Sequence, residues 1–179
     1  MKVLFVCGTK YGSAKIIAEW IAERLGFDSL ITEAKDIKDA PDPGEFDLII
    51  MGSGIYNDSL LPEVMDYIDR HIEVLDDKKK VIFGVCLDTT GVYFKGKVHG
   101  GWEYIMPAIK KFKNPPIHAG LLHGEINPTK LTPEDYEKLM YFYNKMLKKN
   151  YSKIPYKTKM DKEEVWVFAE KILSKLAEI

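Results

Sequence analysis

Residues 4–15 read LFVCGTKYGSAK, and the side chains there that could do chemistry are Cys7, Thr9, Lys10 and Ser13, set around Gly8 and Gly12. The apolar run stops at Gly8, and Ile16, Ile17, Trp20, Ile21 and Leu25 then recur at helical spacing. A buried strand feeding a hydroxyl- and glycine-bearing turn onto a helix N-terminus makes an anion site, because free backbone N–H groups and the helix dipole converge there. Spacing narrows the choice of anion. A Walker loop needs four residues between its glycines and then Gly-Lys-Ser/Thr, whereas three residues separate Gly8 from Gly12 and Ser13-Ala14 follows. A dinucleotide fingerprint needs a glycine where Lys10 stands. A phosphatase loop built on a strand-end cysteine needs an arginine six residues after Cys7. That residue is Ser13, so nothing would lower the thiol's pKa or clamp phosphoryl oxygens.

The elements that position this loop follow from periodicity. Lys2–Cys7 is predicted as the first strand and Ser13–Leu25 as the first helix, followed by a short strand near Leu30–Glu33 and a polar loop from Asp36 to Glu45. Phe46–Met51 is nearly all apolar, as a strand buried on both faces is. Leu61–Val74 is predicted helical with Pro62 in its first turn, Val81–Cys86 as a strand, and Gly100–Phe112 as a helix. Ile117–His123 is the last strand and Val165–Leu176 the closing helix. Such alternation implies a doubly wound α/β fold, with a five-stranded parallel sheet and helices on both faces.

With 179 residues, the chain fits a single domain over 1–179. A net charge of −1 gives no field that would select nucleic acid. No apolar run reaches membrane-spanning length and no leader pattern precedes the first strand, so a cytoplasmic location is expected. Cys7 and Cys86 end strands expected to flank a third, roughly 10 Å apart, and read as reduced thiols beyond disulfide reach. No Cys/His cluster suggests a metal. His71 is expected to face solvent, His99 is a candidate proton donor, and His118 and His123 share the last strand without further ligands.

Thr9, Gly12 and Ser13 after the first strand resemble the phosphate loop of flavodoxins. That resemblance implies the sheet order 2-1-3-4-5, with FMN as cofactor and its phosphate held by Thr9, Lys10, Tyr11, Gly12 and Ser13. Ala14 stands where the family has a closing Thr, so one hydroxyl donor is lost. A receiver domain shares the strand order but needs acidic residues where Cys7-Gly8-Thr9 and Gly52-Ser53-Gly54 stand. The resemblance places the flavin ring on two further loops. In MGSGIYNDS, Gly52, Ser53 and Gly54 admit it to the backbone, Ile55 and Tyr56 pack against it, and Asn57 tolerates the positive φ that turns a peptide toward it. In VCLDTTGVYFKG, Cys86, Leu87, Asp88, Thr89 and Gly91 reach its pyrimidine edge, and Tyr93 is a candidate for the outer ring face.

GT-K-YG-S, GSGIY, AGLLHGEI and a long basic-aromatic insertion together resemble the flavodoxin-domain subfamily that includes menaquinone-dependent protoporphyrinogen oxidase. The resemblance implies an FMN oxidoreductase, with catalytic residues unassigned. The insertion, roughly residues 125–161, is longer than a strand-to-helix connection needs. Within it, Lys138–Met160 carries seven lysines and no acidic residue. Tyr136, Leu139, Met140, Tyr143, Met146 and Leu147 fall on one helical face. This pattern suits a redox partner protein, a quinone- or porphyrin-like small molecule, or peripheral contact at the inner face of the membrane. It equally suits a helix covering the sheet edge or a dimer interface, with the lysines as its solvated face. A flavodoxin-type electron carrier and a flavin-free scaffold are the alternatives to an enzyme.

Overall fold

Alternate residues of the first apolar run pack to opposite sides, Val3, Phe5 and Cys7 into one core and Leu4 and Val6 into another. That is the period of a strand covered on both faces. The computed structural model describes residues 1–33 and 40–178. β1 (Lys2–Gly8) leads into α1 (Ser13–Leu25), whose bounds match the expectation and which buries Ala14, Ile17, Ala18, Ile21 and Leu25. Gly26 closes α1 in a left-handed conformation and donates its N–H to the Ala22 carbonyl. After β2 (Asp28–Glu33), residues 36–39 of the expected loop lie outside the described residues, and Pro43–Glu45 form one 3-10 turn capped by Asp42.

β3 (Leu48–Tyr56) runs five residues past its expected end at Met51. The reason is β4 (Ser59–Leu60), which folds back antiparallel with Ile55 opposite Leu60 and Tyr56 opposite Ser59. Asn57 and Asp58, at φ 51° and 60°, form the two-residue turn between them. The helix expected over 61–74 is two, α2 (Pro62–Arg70) and α3 (Ile72–Asp77), parted at His71, whose ring packs 4.7 Å from that of Tyr67. β5 (Lys79–Cys86) follows, then a hairpin of β6 (Val92–Phe94) and β7 (Lys97–His99).

The helix expected over 100–112 is largely absent. Gly100 and Gly101 have positive φ, and only a 3-10 turn and the single-turn α4 (Met106–Ile109) form, with Pro107 confined to the first turn where its missing N–H is tolerated. β8 (His118–His123), β9 (Glu125–Ile126), α5 (Pro133–Tyr141), β10 (Lys157–Thr158) and α6 (Lys162–Ala177) complete the chain. α6 begins three residues before its expected start because the Asp161 side chain caps it, accepting from Glu163 N–H.

The main sheet runs β2-β1-β3-β5-β8, all parallel, with β4 added antiparallel on β3. This is the expected order 2-1-3-4-5. α1 and α6 cover one face, and α2, α3 and the 100–112 region cover the other. Loops from β1, β3 and β5 therefore open at one edge of the sheet, where the strand order reverses between β1 and β3.

Candidate functional site

At the end of β1 the chain approaches α2 so closely that a Cβ on Gly8 would lie 2.6 Å from Val64. Thr9 Oγ1 accepts the Gly12 N–H at 2.8 Å, which holds Gly12 at φ 102° and turns the chain into α1. Gly12 contributes no side-chain cap. The N–H groups of Ser13, Ala14 and Lys15 therefore have no acceptor within the helix, and they point with its dipole to one place. Such a cluster takes an anion.

This place opens into a cavity of about 570 Å³. Its floor and walls come from Thr9, Tyr11, Ser13 and Ala14 after β1, from Gly54, Ile55 and Tyr56 at the end of β3, and from Cys86, Leu87 and Asp88 after β5. Ten of the fifteen residues singled out for the cofactor thus meet in one cavity. Ser53 does not reach it. Fully buried, its hydroxyl donates to the Gly54 carbonyl and accepts from Leu61 N–H, which fixes the start of the hairpin. Lys10 does not line it and is held on Asp135 at its wall, and Gly12 acts through its backbone conformation. Thr89 lies 3.4 Å from His123 Nε2, and Gly91 packs at φ 86° against the backbone of His99 and Gly100. Ala14 is buried, so this position offers its N–H alone.

The insertion makes the roof, and it is fastened to all three loops. Asp135, in the first turn of α5, accepts from Lys10 Nζ and from the Tyr11 hydroxyl, both at 2.6 Å. The Tyr11 hydroxyl in turn accepts from Thr132 N–H. Lys138 Nζ donates to Asn57 Oδ1 at 2.8 Å, which ties α5 to the β3–β4 turn. Lys159 Nζ donates to the Leu87 carbonyl at 3.1 Å, tying the returning strand to the third loop. Tyr141, Phe142, Tyr143 and Met146 face into the cavity from a helix that loosens into a π-helical turn over Phe142–Met146. The helix ends there, and most of the lysine-rich stretch is extended or turned.

Asp135, Lys159 and the roof aromatics escaped the sequence reading as site residues. Thr132-Pro133-Glu134-Asp135 carried the signal for the first of these, a capping hydroxyl followed by proline and acids. Thr132 Oγ1 does accept from Asp135 N–H. Phe94 and His99 also line the cavity from one side of the β6–β7 hairpin.

Electrostatics follow the packing. Burial pushes the Asp135 carboxyl up, but hydrogen bonds from Lys10 and Tyr11 and the lysine charge outweigh it and hold the group below its ordinary value. Desolvation raises Tyr56 far above the usual phenol range, so the cavity is walled by a neutral hydroxyl. Burial also pushes both free thiols, Cys7 and Cys86, up to about 12. A phosphatase-type nucleophile at Cys7 is therefore excluded by packing as well as by spacing. His123 is oriented by Glu164, whose carboxylate sits 2.8 Å from Nδ1, and holds the third loop through Thr89. Among the described residues, no group of His, Cys, Asp and Glu could hold a metal ion.

A doubly wound parallel sheet with an anion-type turn at its switch point, and two further loops sharing its cavity, defines the class of this protein. The family model of the flavodoxin domain matches residues 4–153, and the chain belongs to that family. Among solved structures, two-electron reduced flavodoxin from Megasphaera elsdenii is 19% identical, with a TM-score of 0.50 over 66% of this chain and 84% of that one. A flavo-diiron protein mutant from Thermotoga maritima is 16% identical, with a TM-score of 0.52 over 98% of this chain and 36% of that one. These likenesses are of fold.

Proposed function

We propose that the cavity holds FMN, with its phosphate at the α1 N-terminus, and that the protein passes electrons between the bound flavin and partners reaching the cavity mouth. The observation that carries this reading is the convergence of the three loops and the unpartnered α1 N–H groups on one cavity. Its volume of about 570 Å³ lies within the roughly 300–1,000 Å³ of ordinary ligand pockets. The donor set fits the group: helix N–H groups and two hydroxyls for a phosphate, Ile55 and Tyr56 for a flat ring, and the peptide groups of Leu87 and Asp88 for a polar ring edge. Bound FMN supplies reversible one- and two-electron transfer.

The chain's own residues orient and enclose that group. Thr9 fixes the turn, Ser13 and Ala14 present N–H groups, and the Asp135 contacts hold the roof against the phosphate loop. Tyr56 and Cys86 stay protonated at neutral pH, so neither adds charge or a nucleophile beside the ring. Because α5 and the π-helical turn cover the cavity with aromatics, the reading includes substrate chemistry on a planar small molecule. The resemblance to the protoporphyrinogen oxidase subfamily supplies quinone- and porphyrinogen-like candidates.

The test is titration of purified protein with FMN and with riboflavin. Uptake of one FMN per chain with quenched flavin fluorescence is expected, and at least tenfold weaker uptake of riboflavin because it lacks the phosphate. No uptake of either would overturn the reading. Anaerobic reduction of the FMN complex, followed by addition of menaquinone, a reduced porphyrinogen or an electron-carrier protein, separates an enzyme from a simple carrier. Reoxidation by the carrier protein alone would leave only the carrier function.

A further inference from the structure

Tyr104 reaches the cavity wall through a turn that two glycines permit. Gly100 and Gly101, at φ 87° and 58°, follow the β6–β7 hairpin and open the 3-10 turn Gly101–Tyr104. A Cβ on Gly100 would lie 2.8 Å from the Tyr104 hydroxyl oxygen, so the ring is seated where it is because that position is glycine. Tyr104 is 9% exposed, belongs to the core that includes Ile105 and Ala108, and lines the cavity. Its hydroxyl has no hydrogen-bond partner among the described residues. Buried hydroxyls are ordinarily paired, and one left open on a cavity marks a place that a ligand completes. Burial, with the charges of Asp58 and Asp88 beside it, pushes this phenol up to about 12, so the hydroxyl is neutral and can donate or accept.

The charges that share this cavity are mostly negative. Four carboxylates line it, Asp58, Asp88, Glu125 and Asp135, against two lysines, Lys130 and Lys138. Asp135 is taken by Lys10, and Lys138 by Glu134 and Asn57. Asp58, Asp88 and Glu125 then face one lysine, Lys130, and none of the three has an ion pair among the described residues. The Asp58 carboxylate, in the β3–β4 turn, accepts no hydrogen bond from them either. Asp88 uses Oδ1 on the N–H groups of Thr90 and Gly91 and on the Thr90 hydroxyl, and Glu125 accepts from the Tyr156 hydroxyl. Tyr141 and Phe142 supply aromatic rings, whose faces carry partial negative charge, to the same cavity.

Carboxylates suit a cation, but these do not converge on a metal ion, since no group of His, Cys, Asp and Glu among the described residues could hold one. A larger cation is left, and aromatic walls favour a flat one. We infer that the part of the cavity lined by Tyr104, Asp58 and Asp88 binds a planar aromatic cation whose N–H groups donate to the Tyr104 hydroxyl and to the carboxylates. This rests on the FMN reading and assigns the charge class of the small molecule that shares the cavity with the flavin. A phosphate at the α1 N-terminus adds negative charge and strengthens the same preference. Of the candidates the resemblance supplies, a porphyrinogen bearing carboxylates is repelled by this wall, and an uncharged quinone gains nothing from it.

Three probes of similar size test this: proflavine, a planar cation with N–H donors; N-methylacridinium, a planar cation without them; and anthracene carboxylate, a planar anion. Each is titrated by calorimetry into the full chain, with FMN bound and without it. Proflavine should bind the FMN complex at least tenfold more tightly than anthracene carboxylate at low salt. The gap should narrow at roughly 300 mM salt as screening shortens the Debye length. Asp58→Asn keeps a residue that tolerates left-handed backbone. It should weaken both cations roughly threefold or more while FMN uptake is unchanged. Tyr104→Phe should weaken proflavine severalfold and leave N-methylacridinium as it was, a split that a packing defect would not produce. Equal or tighter binding of the anion would overturn the inference, as would cation binding unmoved by Asp58→Asn. So would equal losses for both cations in Tyr104→Phe, or an FMN complex that binds none of the three. Failure of FMN uptake shows in the flavin spectrum alone, and the FMN-free titrations then still report whether the wall selects the cation, so the two failures are distinguishable.

Discussion

The Asp135 carboxylate holds two groups of a distant segment: it draws Lys10 and Tyr11 of the phosphate loop onto the first turn of α5. Its folded pKa lies below the ordinary 3.8, so the stabilisation it contributes is complete above that value. It is lost as pH falls through the lowered folded value, where the carboxylate takes a proton. Thermal unfolding of the cofactor-free protein should therefore show a step of lost stability on the acid side of pH 4 that Asp135→Asn lacks. An identical acid profile for the two proteins would sink this assignment. Tyr11→Phe should speed flavin release severalfold in stopped flow, since the roof loses two of its three hydrogen bonds to the loop. The thiols make a second prediction. With Cys7 fully buried and both groups raised to about 12, native protein at pH 8 should react with iodoacetamide far more slowly than unfolded protein. Labelling of Cys7 at the unfolded rate would contradict the packing.

Two glycines separate backbone strain from steric fit at the level of secondary structure. Gly52 on β3 lies beneath the Phe83 ring of β5, where a Cβ would come within 1.9 Å of the ring. Gly52→Ala should cost about 3 kcal/mol or more through overpacking. Gly12 has open space around its Cβ position but sits at φ 102°. Gly12→Ala should cost about 1–2 kcal/mol, a Tm fall of roughly 3–6 °C, with weaker FMN uptake because the N–H cradle shifts. Scanning calorimetry and flavin titration check both. The same contrast explains what could be read from the sequence. α1 and the parallel strands carry their own periodicity and were read to within a few residues, apart from β3. The extension of β3 and the breakup of the 100–112 region depend on local turn chemistry at Asn57-Asp58 and Gly100-Gly101, which a hydrophobic pattern does not register. The phosphate loop was readable because its chemistry is contiguous. The Lys10–Asp135 and Lys159–Leu87 contacts were not, because they join residues far apart in the chain and exist only once the sheet has formed.

For the molecule as a whole, ligand linkage gives a direct measure of the cavity. FMN at a hundred times its dissociation constant should stabilise the fold by about 2.7 kcal/mol, raising Tm by roughly 5–10 °C. Riboflavin at the same concentration should do less, and unchanged Tm with FMN would remove the cofactor reading. No helix of the described residues is long and apolar enough to cross a membrane. The last point concerns β9 and β10. Ile126 pairs with Lys157 and Glu125 with Thr158, and Lys159 N–H donates to the Gly124 carbonyl. The excursion over residues 127–156 thus leaves and rejoins the body through a single zipped stem. A segment anchored that way is an exchangeable cassette: lengthening, recharging or replacing it alters who gains access to the cavity, while β8 and α6 keep their places. Because the same excursion carries Asp135 and the aromatics that roof the cavity, exchanging it would change access and flavin retention together while the sheet beneath stays as it is.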